Sequence, residues 1–217
     1  METIFGYTDP AKSLTATTRQ LEKNSEKYRK IKIWWKRFKP RKLERFCLAL
    51  KNNTHITLLD ISFFRGFTTT HLSKILNALH FERQVSLRQL KLTENGFFDS
   101  AVDVIMKWLP NMPKNLELIS LDYNNFSPSK LVELATVFCT YSNLRGVSLQ
   151  STEIEPNYAR KLYNISLKAS IPIQFNLKGL TKSEKRFLKK RREAICQKPP
   201  KPKLSKRESH SEIVTIS

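Results

Sequence analysis

Glycine is nearly missing from this chain, five residues in 217. That excludes a Gly-rich loop whose backbone cradles phosphate. Cysteine is sparser still. Cys47, Cys139 and Cys196 are odd in number and far apart, which makes no disulfide framework and points to reduced thiols in a soluble, intracellular, reducing compartment. No apolar run reaches the ~18–20 residues of a membrane-spanning helix. Met1 to Gln20 has no charged start followed by an apolar block, so no Sec-type signal peptide is expected. Residues 1–27 read instead as a polar, disordered leader. Acidic residues are also short, 19 against 39 Lys and Arg, for a net charge of +20.

Catalytic and metal-binding patterns are absent as well. His55, His71, His80 and His210 have no Cys or carboxylate at a metal-ligand or triad spacing. Cys139 closes an apolar helical stripe and reads as core. Glu153 and Glu155 fall in an expected turn as ordinary surface charges. No catalytic residue, metal ligand or cofactor is expected, and the chain does not read as an enzyme.

What is present is a repeat. Leu116-Glu-Leu-Ile119-Ser-Leu121-Asp-Tyr-Asn124 is preceded by Leu87-Arg-Gln-Leu90-Lys-Leu92-Thr-Glu-Asn95 and followed by Leu144-Arg-Gly-Val147-Ser-Leu149-Gln-Ser-Thr152. A weaker copy runs from Ile56 through Leu59 and Ile61 to Phe64. Apolar residues recur at offsets 0, 3 and 5, and the copies start 31, 29 and 28 residues apart. Offsets 3 and 5 share one face of an extended strand. Asn95 and Asn124 follow the strand where the chain must turn, and an Asn side chain satisfies turn backbone groups. Phe64 cannot do so, so the first copy must close its turn differently.

A helix-length segment follows each turn. Ser127-Pro128 places a capping residue before a proline at the first helical position, and Leu131, Leu134, Ala135 and Phe138 then fall at helical spacing. Asp99 or Ser100 is the expected cap of the segment ending near Leu109. Thr68 to Leu79 and Pro156 to Leu167 complete the set.

These phrases, with Ala49-Leu-Lys-Asn-Asn-Thr-His-Ile56 leading into Leu59, resemble the leucine-rich-repeat family, in its ribonuclease-inhibitor-like class. The resemblance implies an α/β fold: a short right-handed solenoid with parallel strands on the concave side and helices on the convex side. About four to six repeats are expected, with basic helical caps, in a monomer. The expected organisation is a leader at 1–27, a cap or atypical first repeat at 28–51, repeats at 52–178, a basic capping helix at 179–197 and a disordered basic tail at 198–217. At 28–51, either Tyr28, Ile31 and Ile33 begin a strand or Arg29 to Phe38 forms a capping helix. Pro172, Phe175 and Leu177 keep the repeat offsets downstream. Terminal units must cover open core edges, so departures there are expected.

Solvent-facing strand positions then name a recognition surface. Asp60, Lys91, Ser120, Ser148 and Asn176 stand at offset 4; Ser62, Thr93, Asp122 and Gln150 at offset 6; Phe63, Glu94, Tyr123 and Ser151 at offset 7. Exposed aromatics beside mixed charges suit a protein partner, while Phe63 and Tyr123 filling gaps at the sheet edge is the alternative.

The charge lies elsewhere. Residues 1–51 hold 14 basic against 5 acidic side chains and residues 178–217 hold 13 against 4, whereas 52–177 hold 12 against 10. Thr181-Lys-Ser-Glu184 is a capping box opening a helix with Phe187, Leu188 and Ile195 on one side and Lys185, Arg186, Lys189, Lys190, Arg191 and Arg192 crowding the rest. Such a block serves as a solvated face, a nuclear import signal, or an anion-binding patch for nucleic acid, the ribosome or an anionic membrane. Trp34, Trp35 and Phe38 among cations would stack on bases, enter a lipid interface or, the preferred reading, cap the open end of the core.

Two functions follow. One is a non-catalytic protein-interaction module with basic ends for targeting; small, low-Gly, Lys/Asn-rich repeats of this kind resemble effectors that intracellular bacteria deliver into host cells, which implies secretion without a Sec signal, virulence and a host-nuclear destination. The other is a basic factor associated with nucleic acid or the ribosome through its termini.

Overall fold

Apolar residues two apart bury one face of an extended chain, and this chain repeats that pairing along its length. The computed structural model describes residues 14–33, 39–64, 66–80, 86–151 and 154–196, with residues 195 and 196 described in backbone only. In chain order the elements are α1 (Leu14–Glu22), β1 (Lys30–Lys32), α2 (Pro40–Asn52), β2 (Leu58–Asp60), α3 (Thr69–Ala78), β3 (Gln89–Lys91) and α4 (Asp99–Trp108). Then come β4 (Leu118–Ser120), α5 (Pro128–Phe138), β5 (Gly146–Ser148), α6 (Pro156–Lys168), β6 (Ile173–Gln174) and α7 (Lys182–Cys196).

The strands form one parallel sheet in sequential order from β1 to β6. Ile31, Leu59, Leu90, Ile119, Val147 and Ile173 pair across it in register, and all are buried. The offset-5 row, from Ile33 and Ile61 to Leu149, is buried beside them. Parallel neighbours need a long crossover, which helices supply; α1 to α6 pack against one another in sequence order. Helices α2 to α5 each bury an apolar stripe, such as Leu131, Leu134, Ala135 and Phe138 of α5. Burying each large member of such a stripe contributes about 1.5–3 kcal/mol.

Local chemistry sets the helix starts. Ser127 Oγ accepts from Lys130 N, with Pro128 following it. Thr68 Oγ1 accepts from His71 N while His71 Nδ1 accepts from Thr68 N, a capping box closed by an imidazole rather than a carboxylate. Asp99, an expected cap, has another task. Phe98 stands at the N-cap of α4 without a side-chain bond, and Asp99 Oδ1 accepts from Ser127 N at 2.7 Å, tying α4 to the start of α5.

The ends differ from expectation. Residues 14–22 belong to an ordered helix, not to a disordered leader. Leu14 and Leu21 are buried against the core, Arg45 holds Glu22 through two bonds of 2.6 and 2.7 Å, and buried Asn53 donates to Leu21 O. Residues 30–32 form a strand in register with β2, which is the strand alternative for this segment rather than a helix beginning at Arg29. At the other end, β6 sits two residues away from the predicted register. Ile173, not Phe175, pairs with Val147, and Gln174 pairs with Ser148. A two-residue slip leaves every side chain on its original face, so hydrophobic pattern alone does not distinguish the registers. Trp34, Trp35, Phe38 and the tail at 198–217 lie outside the described residues.

Candidate functional site

After each strand the chain must reverse away from the sheet, and three of these turns place a bulky residue in the left-handed region. Phe63, Glu94 and Tyr123 have φ of 61°, 56° and 55°. An L-residue in that conformation brings Cβ close to the following carbonyl, at a cost of roughly 1–2 kcal/mol relative to right-handed geometry. The turns are held by their backbones: Phe63 N donates to Thr93 O, Glu94 N to Asp122 O and Tyr123 N to Gln150 O, at 2.7–2.9 Å.

The following residue, buried, locks the turn. Asn124 Oδ1 accepts from Asn95 N and Phe97 N at 3.0 and 3.2 Å, and its Nδ2 donates to Leu92 O and Leu121 O, both 2.9 Å. Asn95 Oδ1 accepts from Phe64 N and its Nδ2 donates to Ile61 O. The first copy, with Phe64 where the next two have Asn, is therefore closed by the Asn of its neighbour, and the Phe64 ring joins the core. Thr152 lies outside the described residues.

This geometry leaves aromatic rings at the strand exits. Phe63 is 51% exposed, Tyr123 44% and Phe98 65%. An open groove of about 1020 Å³ runs between the turns and the starts of α3 and α4. Phe67 lies 5.3 Å from Phe64 and 5.1 Å from Phe97, ring centroid to centroid, and these three rings line it together with Phe98, Tyr123 and Glu94. Gly96 allows the turn beside it, at φ 70°; a Cβ there would meet nothing within 4 Å, so its role is conformational. Phe98 was missing from the expected surface. Its signal was the Phe97-Phe98 pair after Asn95-Gly96, one ring for the core and one for solvent.

The columns at offsets 4 and 6 behave differently from the rim. Asp60 and Ser62, expected in solvent, are buried at 5% and 2% exposure. Ser62 Oγ donates to Asp60 Oδ1 at 2.6 Å, and Lys32 Nζ stands 3.8 Å from Asp60 Oδ2. Thr93 and Ser120 hydroxyls bond at 2.8 Å, Ser120 Oγ donates to Asp122 Oδ2, and Asp122 Oδ1 accepts from Gln150 N. Lys91 and Ser148 are half-buried, and Ser151 is buried. These polar side chains cross-link neighbouring strands, because a carboxylate two residues from a hydroxyl reaches the adjacent strand on the same face. Asn176, expected at offset 4, falls at offset 6 through the β6 register and donates to Ser151 O. Tyr123 OH donates to Gln150 Oε1 at 3.1 Å, which links rim and network.

The basic helix is divided in the same way. Thr181 and Glu184 form the expected capping box, and the Thr181 N–H and hydroxyl together hold the Glu184 carboxyl below its ordinary range. Leu188 is buried, but Phe187 is exposed, contrary to its expected packing; the Ile195 side chain lies outside the description. Arg191 is not a surface cation awaiting an anion. Its Nε and Nη2 donate to Ser166 O and Ala169 O, satisfying carbonyls at the end of α6. Lys185 and Arg192 are half-buried, leaving Arg186, Lys189 and Lys190 exposed with Phe187.

Among the described cysteine side chains, thiol chemistry has little to work with. Burial pushes the Cys47 thiol up to about 12 and raises Cys139 as well, so neither holds a thiolate near neutrality. Among the described residues no group of three His, Cys, Asp or Glu side chains could hold a metal, and no helix is long and apolar enough to cross a membrane.

No family model and no curated protein matches the chain. Solved structures do. The actin-binding site 2 of leiomodin-1 superposes with a TM-score of 0.55 at 15% identity, covering 85% of this chain and 99% of that one. The tropomodulin C-terminal domain from Caenorhabditis elegans gives 0.57 at 9% identity, covering 70% of this chain and 92% of that one. At such identities the likeness establishes the fold, a parallel-strand α/β repeat architecture of leucine-rich-repeat type. Neither neighbour supports a bacterial effector, virulence, a host-nuclear destination, or a nucleic-acid or membrane partner.

Proposed function

We propose that this chain is a non-catalytic protein-recognition module, a short right-handed leucine-rich-repeat solenoid in a reducing intracellular compartment. Its contact surface is the strand-exit rim of Phe63, Glu94, Phe98 and Tyr123. The observation that carries this reading is the conformation of the rim. Glycine or Asn would occupy a left-handed turn position at lower cost, yet Phe and Tyr stand there with half their surface in water. Strain of this kind, combined with exposed aromatic area, fits residues kept for contact with a partner. Offsets 4 and 6 contribute through Lys91, Thr93, Ser120, Asp122, Ser148 and Gln150 as the polar floor below the rim, with Asp60 and Ser62 supporting it from inside.

Actin is the first partner to test, because leiomodin-1 presents an actin-binding site on the same fold. Fluorescence anisotropy of labelled monomeric actin, titrated with the full chain at low and moderate salt, measures it. Saturable binding that survives moderate salt and weakens about tenfold or more in a Phe63→Asn/Tyr123→Asn double variant supports both partner and site. Absence of binding excludes actin. Binding unchanged in the folded double variant excludes the rim.

A second reading rests on α7, whose outer face presents Arg186, Lys189 and Lys190 around exposed Phe187. That face suits a phosphate-rich partner through counterion release. Triple replacement by Glu, with duplex and single-stranded oligonucleotides as probes, should then abolish a salt-dependent affinity that the rim variants leave alone.

A further inference from the structure

The predicted columns began at offset 4, but alternation along a strand also turns offset 2 to the same face. That position holds Leu58, Gln89, Leu118 and Gly146, aligned across β2 to β5. Leu58 is covered; Leu118 remains 40% exposed near the middle of the sheet. Its placement depends on its neighbour. A Cβ at Gly146 would stand 3.3 Å from Leu118 Cδ2 and within 3.8 Å of Pro172. Lacking one, Gly146 leaves room for Leu118 beside Pro172, so that an exposed apolar side chain stands in this column.

One residue earlier, at the strand entries and next to Leu118 and Gly146 in the chain, stands a charge cluster. Arg88 Nη1 contacts Glu117 Oε1, and Arg145 Nη1 stands 3.5 Å from Glu117 Oε2. The backbone holds this placement, since Leu118 N donates to Arg88 O and Gly146 N to Glu117 O. Two guanidiniums thus share one carboxylate, and both are about half exposed. The cluster carries one positive charge in excess and has donors left for a second carboxylate, the group that a guanidinium fork binds best.

We infer that Leu118 with Arg88 and Arg145 forms a second contact site, at the strand-entry side of the sheet, for a protein segment bearing an Asp or Glu beside a bulky apolar residue. The apolar side chain covers Leu118 and excludes water, while the acid completes the guanidinium pair. A central apolar anchor within a polar rim is the usual arrangement of a binding hot spot, and water exclusion strengthens the charge pairing beside it. The site rests on the protein-recognition reading but is separate from the strand-exit rim.

Panning a random dodecapeptide phage library on the immobilised full chain tests it. Enriched peptides are then synthesised and titrated by fluorescence anisotropy. The expected peptides carry an acidic residue within two positions of Leu, Ile, Phe or Trp. Their affinity falls about tenfold or more for Leu118→Ser and for Arg88→Glu/Arg145→Glu, and is unchanged for Tyr123→Asn. A peptide with Lys in place of its acid should recover binding to the charge-reversed chain, which separates lost contact from lost folding. Enrichment without acids, no enrichment, or no recovery overturns the site. Loss of binding in Tyr123→Asn alone overturns it too, while leaving recognition at the rim standing.

Discussion

Replacing Asn124 by Ala should be among the most damaging single polar changes in this protein, and the reason can be counted. The side chain accepts from two backbone N–H groups, Asn95 and Phe97, and donates to the carbonyls of Leu92 and Leu121, with a longer contact of 3.5 Å to Asp122 O. Asn124 is 6% exposed and Asn95 5%, so water replaces these bonds poorly. An orphaned buried donor or acceptor costs about 1–3 kcal/mol. Two donors lost outright, with partial rescue of the carbonyls, give roughly 3–5 kcal/mol. For a chain of this size that corresponds to a fall in Tm of about 10–15 °C. Asn95→Ala removes one accepted and one donated bond and should cost about half as much. Urea unfolding followed by circular dichroism gives both numbers, with an unchanged m-value showing that the denatured state is the same. A loss below about 1 kcal/mol for Asn124→Ala, or a larger loss for Asn95→Ala, would refute the view that these side chains join neighbouring turns.

Three further outcomes are expected. Tyr123→Asn should leave stability unchanged or raise it by up to about 1 kcal/mol, since Asn accepts left-handed geometry and only an exposed bond to Gln150 is lost; thermal melts check this. Arg191→Ala should cost about 1–2 kcal/mol by uncapping α6, whereas Lys189→Ala and Lys190→Ala should stay within about 0.5 kcal/mol in the same assay. His71 has its pKa lowered, first by burial and then by Lys74, with a partly opposing bond from Gly66. Folding therefore favours the neutral ring, which accepts from Thr68 N. Its contribution is complete above the unfolded value near 6.5 and is lost as pH falls through the lower folded value, so denaturant midpoints should decline across that window and decline less in His71→Gln.

Much of the fold was legible because it rests on periodic burial. Leu59, Leu90, Ile119 and Val147 stand in the row that their spacing requires, and Asn95 and Asn124 close turns as their chemistry allows. The misplaced features are those that periodicity does not constrain. The β6 register slipped by two because Ile173 and Phe175 face the same way. Helix α1 was hidden because its mean composition is polar, with Thr17 and Thr18 buried beside Leu14 and Leu21 and Thr18 Oγ1 bonded to Leu14 O. Asp60, Ser62 and Asp122 look like surface residues in sequence. Only the register shows that each carboxylate, held by a hydroxyl two residues away on its own strand, belongs to a network that reaches the next strand through Thr93 N to Ser62 Oγ and Gln150 N to Asp122 Oδ1. Leu118 was passed over because alternation was followed forward from offset 3 and not backward to offset 2.

The rim and the lock are neighbours in sequence yet separable in effect, and this follows from how the turn is built. Its hydrogen bonds are made by the backbone at offset 7 and by the side chain at offset 8. The offset-7 side chain makes little contribution to the turn, while the left-handed backbone throws it outward from the sheet. At offset 8, Asn95 and Asn124 are the reverse, buried side chains that bond the backbone of neighbouring turns and offer little exposed surface. Position 123 can therefore vary with the partner at little cost to the fold, whereas position 124 tolerates almost nothing. In the actin titration, Tyr123→Asn should weaken binding at full stability. A folded fraction of Asn124→Ala should instead bind with ordinary affinity, once the concentration is corrected for the unfolded population. Equal affinity loss per folded molecule in both variants would show that the two positions act as one unit.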